Sequence, residues 1–377
     1  MVLIFGCTPY KKYTPLDFGN DDNQLLQIIL DQAVNEFKMP GLQAGVKFSN
    51  GKTVLASSGT IDFGRERERI TNQAIFRIGS ATKMFVSALI GRLVEKELVS
   101  FDETIDKWFP DIPAVKNVTI RELLSHTSGI EENLFTSPLI LMHSFISDEK
   151  KWNSQQVVND LLRDMDLKLT NQKSFMYANN NYLLLGLIAE KVTGVKLHSQ
   201  LENEFFIPLK MKDTYLLPHY SEMPIGLVSG YDEYIPFGPH EIKPSNTSWD
   251  TLTFSAGAMA STSKDLLIWL DAFFHGRILN ADTISMLRAY GDARDNGRDN
   301  NIVGYGLGLA RYEVGGYTLE GHPGGGFGGE CYPFYFPEKN ISITVSYNWS
   351  KKDNPAGKIV LKRIIDQMLV RASTSMD

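Results

Sequence analysis

Ser80 and Lys83 carry the most distinctive chemistry in the chain, within Phe76-Arg77-Ile78-Gly79-Ser80-Ala81-Thr82-Lys83. The apolar run Met84–Ile90 that follows predicts a helix with both residues in its first turn. A spacing of three puts the two side chains on one face, so the amine can reach the hydroxyl. A helix N-terminus also offers unpaired backbone N–H groups and the positive end of a dipole, which suit an oxygen turning negative. Together these supply a nucleophile, a proton acceptor and half an oxyanion site. Ser-x-x-Lys recurs at Ser49/Lys52, Ser147/Lys150 and Ser261/Lys264, but those pairs fall at a turn, in a polar loop and beside a helix cap. Only Ser80 follows a strand-like run and opens a long amphipathic helix.

A serine hydroxyl is a poor nucleophile until a base takes its proton. Lys83 must be largely neutral to do so, a fall of about 3 from a reference pKa of ~10.4, or roughly 4–5 kcal/mol. Only a desolvated site permits that. Tyr177-Ala178-Asn179, the single Tyr-x-Asn of the chain, supplies a second hydroxyl just before a predicted helix over Tyr182–Val192. The Tyr177 phenol is placed to shuttle the proton, and the Asn179 amide to bond Lys83 and a substrate carbonyl. A packed tyrosine beside an Asn-rich helix cap is the plainer alternative.

The third element is Gly321-His322-Pro323-Gly324-Gly325-Gly326-Phe327-Gly328-Gly329. Glycines weaken a strand and often mark close backbone approach by a ligand. No Lys-Ser/Thr and no predicted helix follows, so a phosphate loop does not fit. The flanks read as strands, which points to a substrate-binding edge strand.

The 377 residues suffice for two domains or one domain with a large insertion. A net charge of −6 and the lack of a basic cluster with interleaved aromatics argue against nucleic acid as a partner. The seven histidines form no HExxH or HxH, so neither a metal nor another cofactor is expected. Cys7 and Cys331 make no disulfide framework, and no internal stretch reaches the length of a membrane span. Val2–Cys7 followed by Thr8-Pro9 resembles the tail of a bacterial lipoprotein signal, which makes Cys7 a candidate lipid anchor; a short leader over 1–20 is the alternative. On that basis a periplasmic or membrane-anchored location is favoured over a cytoplasmic one.

Asp21-Asp22 caps a predicted helix with Leu25, Leu26, Ile29, Leu30, Ala33 and Phe37 on one stripe and Gly41 beyond its end. Gln43–Phe48 and Thr53–Ser58 predict a hairpin through Asn50-Gly51, with both turn residues at positive φ. The Ser80 helix is expected to reach about Leu98. Helical patterns dominate 106–254, and 216–250, rich in proline and tyrosine, reads as loops over the site. Gly304–Tyr312, Tyr317–His322, Glu330–Phe336 and Ile341–Tyr347 predict antiparallel strands before a last helix over Ala356–Leu369. The fold class is α/β (α+β): an antiparallel sheet from 21–105 and 255–377, flanked by helices, with a mainly helical domain inserted over 106–254.

Ser80-Ala81-Thr82-Lys83, Tyr177-Ala178-Asn179 and His322-Pro323-Gly324, in that order, resemble the three motifs of the serine β-lactamase and penicillin-binding-protein superfamily. The Tyr-x-Asn form is similar to its class C β-lactamase, DD-peptidase and carboxylesterase branch. Leu123–Gly129, Tyr182–Gly186, Pro208–Thr214, Ala256–Thr262 and Gly304–Gly308 resemble further recurrent blocks, so the likeness runs from about residue 25 to 370. The resemblance implies that Ser80 is acylated, that Lys83 and Tyr177 transfer its proton, and that Asn179 contacts substrate and Lys83. It makes the N–H groups of Ser80 and Gly325 the oxyanion hole, each donor being worth about 2.7–4 kcal/mol. His126 falls in a block that reads as a structural turn.

Two departures from the resemblance matter. His322 stands where β-lactamases of this type carry lysine, and Pro323 replaces the usual Thr or Ser. His-x-Gly is typical of DD-peptidase and D-aminopeptidase-like members. Arg311, on the preceding strand, is a candidate for the missing carboxylate-binding charge if the register is right. The expected activity is that of a DD-carboxypeptidase or a D-amino-acid peptidase or amidase, with a peptide or small-molecule substrate. A carboxylesterase, a class C-type β-lactamase and a slow penicillin-binding sensor remain as alternatives.

Overall fold

The computed structural model describes residues 21–62, 68–112, 115–134, 151–163, 174–217, 223–233, 240–294, 299–326, 328–351 and 354–369. The readings of the 1–20 leader, the Cys7 anchor, the Ser147/Lys150 pair and Phe327 lie outside them. Helix α1, Asp22–Phe37, is capped by the Asp21 carboxylate on Asn23 N and buries Leu25, Leu26, Ile29, Leu30 and Ala33. It ends on Lys38 in the left-handed region rather than at Gly41, which already belongs to a strand.

Strands β1 (Gly41–Lys47) and β2 (Thr53–Gly59) form the expected hairpin with a different turn. Gly51 takes a positive φ of 86° and Asn50 does not. Gly51 N donates to Phe48 O and Phe48 N to Lys52 O, both at 2.9 Å. The loop is therefore Ser49, Asn50 and Gly51, with glycine alone in the left-handed position, a longer connection than a type I′ turn.

Strand β3 (Phe76–Arg77) leads through a 3₁₀ turn, Gly79–Ala81, into α2 (Thr82–Glu95). Every α2 residue from Thr82 to Gly91 is buried, because the helix runs through the middle of the larger apolar core. It stops at Glu95, with Lys96 as its C-cap, short of the expected Leu98. Helix α3, Asn179–Thr193, ends on Gly194 at φ 70°. Helix α4, Thr247–Gly257, is kinked at Phe254 (φ 37°, ψ −118°). Strand β4 (Met259–Ser261) pairs with β3, and Thr262 caps α5 (Ser263–Phe274) through Asp265 N.

The C-terminal strands are β5 (Gly291–Asp292), β6 (Ile302–Tyr305), β7 (Ala310–Val314), β8 (Tyr317–Gly321), β9 (Gly324–Gly326), β10 (Gly329–Cys331), β11 (Phe334–Phe336) and β12 (Ile341–Tyr347). They build one antiparallel sheet in the order β9-β10-β12-β11-β8-β7-β6-β5, with β1 pairing β12 and β2 pairing β1. Gly304–Tyr312, read as one strand, is two: Gly306 N turns back to Leu309 O at 2.8 Å. Helices α1 and α6 (Ala356–Ile364) share one apolar cluster with the sheet. On the other face Leu267 of α5 fills the space above Gly45, and the Lys47 amine binds Asp271 of α5 at 2.5 Å. The mixed α/β architecture with an antiparallel sheet is as expected.

The stretch 216–250 departs from its reading as loops. Leu216 pairs with Met259, Gly230–Asp232 pairs with His240–Ile242, and Leu217, Tyr231, Ile242 and Trp249 are buried. Prolines and tyrosines broke the periodicity here, while the burial comes from partners distant in sequence.

Candidate active site

Ser80 sits in the turn that opens α2, and Gly79 before it takes a φ of 51°. Thr82 clamps this turn: its hydroxyl donates to Gly79 O at 2.7 Å and accepts from Met259 N at 3.1 Å. Lys83 is fully buried. Its Nζ lies 2.9 Å from Ser80 Oγ, 2.8 Å from Asn179 Oδ1 and 2.7 Å from the Ala256 carbonyl oxygen. Two of these partners can only accept, while a serine hydroxyl can donate or accept. Two amine N–H groups thus have fixed acceptors, and the third tetrahedral position of the nitrogen faces Ser80.

Asn179 is held from behind by Glu132. One carboxylate oxygen of Glu132 accepts from Asn179 N at 2.6 Å and from Asn179 Nδ2 at 2.9 Å. That fixes which end of the amide faces Lys83, since only Nδ2 can donate to a carboxylate. The carboxylate also sits at the N-terminus of α3, where negative charge is favourable. Glu132→Gln should lower kcat by about 10-fold, because a neutral amide oxygen holds the Asn179 N–H and Nδ2 donors less firmly than a carboxylate does. Steady-state kinetics would check this, and an unchanged kcat would deny Glu132 that role.

The kink at Phe254 has a local consequence. A non-glycine residue at positive φ is strained by about 1–3 kcal/mol and persists only where packing enforces it. Phe254 is buried, and Ser255 next to it donates to Tyr182 O at 2.7 Å. Past this bend the Ala256 carbonyl meets Lys83.

Tyr177 comes to the same cluster. Its ring centroid lies 5.0 Å from Lys83 Nζ, and the Tyr182 ring lies 5.4 Å from it. The buried imidazole of His126 packs on Tyr177 at 4.2 Å between centroids. Its Nδ1 lies 3.3 Å from Ala178 N, which donates to it, and 3.1 Å from Asn181 Nδ2. Through these contacts His126 orients the Tyr177–Asn179 segment.

The third motif is the outermost strand at one end of the sheet, packed on the Ser80 turn. A side chain on Gly324 would begin 1.8 Å from Ile78 O, and one on Gly79 would begin 2.8 Å from Gly325 N. Only bare backbone brings Gly325 this close to Ser80. Gly324→Ala should destabilise the fold by at least about 3 kcal/mol and remove activity, since rigid backbone on both sides has to part. Thermal melting beside turnover tests this; a normal melting temperature with normal activity would contradict the close approach.

His322 is buried, and the Lys83 amine lies nearby; burial first and that charge second push its imidazole down to about 3. Its Nδ1 lies 2.7 Å from Pro323 O, which can only accept, so Nδ1 carries the proton. Nε2 then accepts from the Tyr305 hydroxyl at 2.9 Å, and burial keeps that phenol protonated. His322 is a neutral, fully engaged imidazole whose ring lies 6.1 Å from that of Tyr177.

Arg311 is not brought to the site. It stands opposite Glu320, and its guanidinium lies 4.4 Å over the Tyr290 ring, in a groove of about 510 Å³ lined also by Asp292, Arg294 and Glu338. The alternation along β7 buries Ala310 and Tyr312 and turns Arg311 outward. Ser80, Lys83, Tyr177, Asn179, His322, Gly324 and Gly325 converge; Arg311 alone of the expected residues does not. Glu132, the Ala256 carbonyl and Tyr305 were not singled out. Glu132 has no spacing signal, and a carbonyl has no residue type; Ala256 and Tyr305 lay in blocks noted only for their resemblance. Among the described residues no group of three or more His, Cys, Asp and Glu is placed to hold a metal ion, and no helix is long and apolar enough to cross a membrane.

The fold is that of the β-lactamases and penicillin-binding proteins, and the site sets the Ser80 hydroxyl against a buried lysine amine. The Beta-lactamase family model matches residues 27–364, and the chain belongs to that family. The chain is similar to the crystal structure of a D-amino acid amidase from Ochrobactrum anthropi SV3 complexed with L-phenylalanine amide, with a TM-score of 0.81 and 28% identity over 94% of this chain and 99% of that one. It is 29% identical over 177 residues to penicillin-binding protein 4* of Bacillus subtilis (strain 168), covering 44% of this chain and 37% of that protein. It is 25% identical over 260 residues to protein flp of Staphylococcus aureus (strain MW2), covering 67% and 49%. The matches thus span less than half the length of these two curated relatives.

Proposed function

We propose that this chain hydrolyses amides of D-amino acids through an acyl-enzyme at Ser80. The observation that carries the chemistry is the Lys83 amine, buried, with two obligate acceptors and the Ser80 hydroxyl around it. In this reading the Ser80 proton passes to Lys83 with Tyr177 alongside, and Oγ bonds to the substrate carbonyl carbon. The resulting oxyanion is received by the N–H groups of Ser80 and Gly325. The C–N bond breaks, the proton is returned to the leaving nitrogen, and ammonia departs. Water then cleaves the ester and restores the hydroxyl.

The substrate class is supported by two further points. A terminal carboxylate, as in a D-Ala-D-Ala peptide or a penicillin, calls for a fixed cation beside the third motif. His322 is neutral there, Pro323 has no hydroxyl, and Arg311 stacks on Tyr290 instead. An uncharged amide needs no such cation, and the amidase from Ochrobactrum anthropi shares 28% identity over nearly the whole chain.

The test is a panel of D-phenylalanine amide, L-phenylalanine amide, a D-Ala-D-Ala peptide, a nitrophenyl ester and benzylpenicillin, followed by product release and intact mass. The D-amide is expected to exceed the peptide and the L-amide by at least about 100-fold in kcat/KM. Faster peptide cleavage would make the chain a carboxypeptidase. Stoichiometric binding of benzylpenicillin without turnover of any substrate would make it a sensor.

A further inference from the structure

Outside the site, ionisable side chains gather beneath the β9–β10 hairpin, between it, β12 and α6. Glu330 of β10 stands opposite Gly325 on one side and opposite Tyr347 of β12 on the other. Its Oε2 accepts from the Tyr332 hydroxyl at 2.8 Å and from the Tyr347 hydroxyl at 2.5 Å. Next to this group the Tyr312 hydroxyl donates to Asp299 at 3.2 Å, and Lys358 of α6 binds Asp299 and Asn301, each at 2.8 Å. The position where a Gly325 side chain would begin lies 3.5 Å from Glu330 Cγ, so the Glu330 stem fills the space that Gly325 leaves.

Strand β9 has three residues and, among the described residues, pairs only with β10, which in turn pairs with β12. Its placement depends on how firmly β10 is tied to the sheet. We infer that Glu330 is a positioning residue for the oxyanion strand: its carboxylate, gripped by the Tyr332 and Tyr347 phenols, fastens β10 to β12 and so holds the Gly325 N–H against Ser80. The inference rests on the acyl-enzyme reading above.

The tie depends on protonation. Burial, opposed by the two phenols and Lys358 and aided by Asp299, pushes the Glu330 carboxyl up to about 7. Above that pH the carboxylate accepts both phenolic hydrogens in charge-assisted bonds; below it the protonated group is a weaker acceptor and must place its own hydrogen. Acylation should therefore step down as pH falls through about 7, besides any fall caused by the Lys83 proton transfer.

The experiment is the rate of Ser80 acylation by a nitrophenyl ester from pH 5 to 9, read by intact mass, for the native chain and for Glu330→Gln. The variant should acylate about 10-fold more slowly at pH 8 and lack the step near 7, while any limb due to Lys83 stays. A variant profile that superimposes on the native one overturns the inference. Tyr332→Phe gives a second reading should Glu330→Gln not fold. Losing one donor to the carboxylate should move the step up by about 0.5–1 pH unit, and an unmoved step again overturns it. No adduct on Ser80 in the native chain would instead overturn the acyl-enzyme reading, and this inference with it.

Discussion

Replacing Ser80 with alanine should lower turnover of amide and ester substrates by at least about 10⁴-fold, with the melting temperature nearly unchanged. The stability half follows from the geometry. Ser80 is only half-buried, and its hydroxyl is one of several groups around Lys83; the Asn179 oxygen and the Ala256 carbonyl remain when it goes. The activity half follows from the chemistry, since no acyl bond can form without that oxygen. Intact mass after ester exposure should show an adduct on the native chain and none on the variant. Residual turnover above about 1% with an unaltered pH profile would place the nucleophile elsewhere, because loss of a true nucleophile leaves only binding and oxyanion contributions.

Lys83 is expected to be nearly as sensitive, and a pair of substitutions separates its roles. Lys83→Met should cut acylation by at least about 10³-fold, the size of a lost general base in a positioned site. Its effect on stability is a balance. Asn179 Oδ1 and the Ala256 carbonyl each lose a donor, at about 1–3 kcal/mol apiece. Against that, a thioether replaces a fully buried amine and ends the cost of keeping it out of water. The net change should stay within a few kcal/mol, within reach of thermal melting. Lys83→Arg puts a fixed cation there that cannot accept a proton from serine, because a guanidinium stays protonated. It should be as inactive as the methionine variant. Recovery of more than about a tenth of native activity with arginine would mean that the site needs a fixed charge rather than a proton acceptor.

His322 and Glu330 should leave opposite marks on pH profiles. His322 is held near 3, so it stays neutral across the working range and adds no limb of its own. Burial pushes the Glu330 carboxyl up to about 7, so it should add one.

The sequence alone determined what local chemistry can encode. Ser80 and Lys83 share a face because three residues make most of a turn, and the apolar run after them had to be a helix. Asp21 announced a helix start by residue type. The glycines of 324–326 announced a backbone that something approaches, and the three motifs in order carried the resemblance to the family. What the sequence could not decide is whatever depends on partners far along the chain. Asn50-Gly51 was compatible with two turns, and strand pairing selected the longer one. Arg311 sits one residue from positions whose side chains face the opposite side of the sheet, and only the register against Glu320 turned it away from the site. Glu132 and Asn179 are 47 residues apart and Lys83 and Ala256 are 173 apart, so no periodicity could join them. Gly325 and Glu330 face each other only because a hairpin folds one onto the other. Local propensity placed Ser80 and Lys83 together, and the packing of distant segments decided which groups surround them.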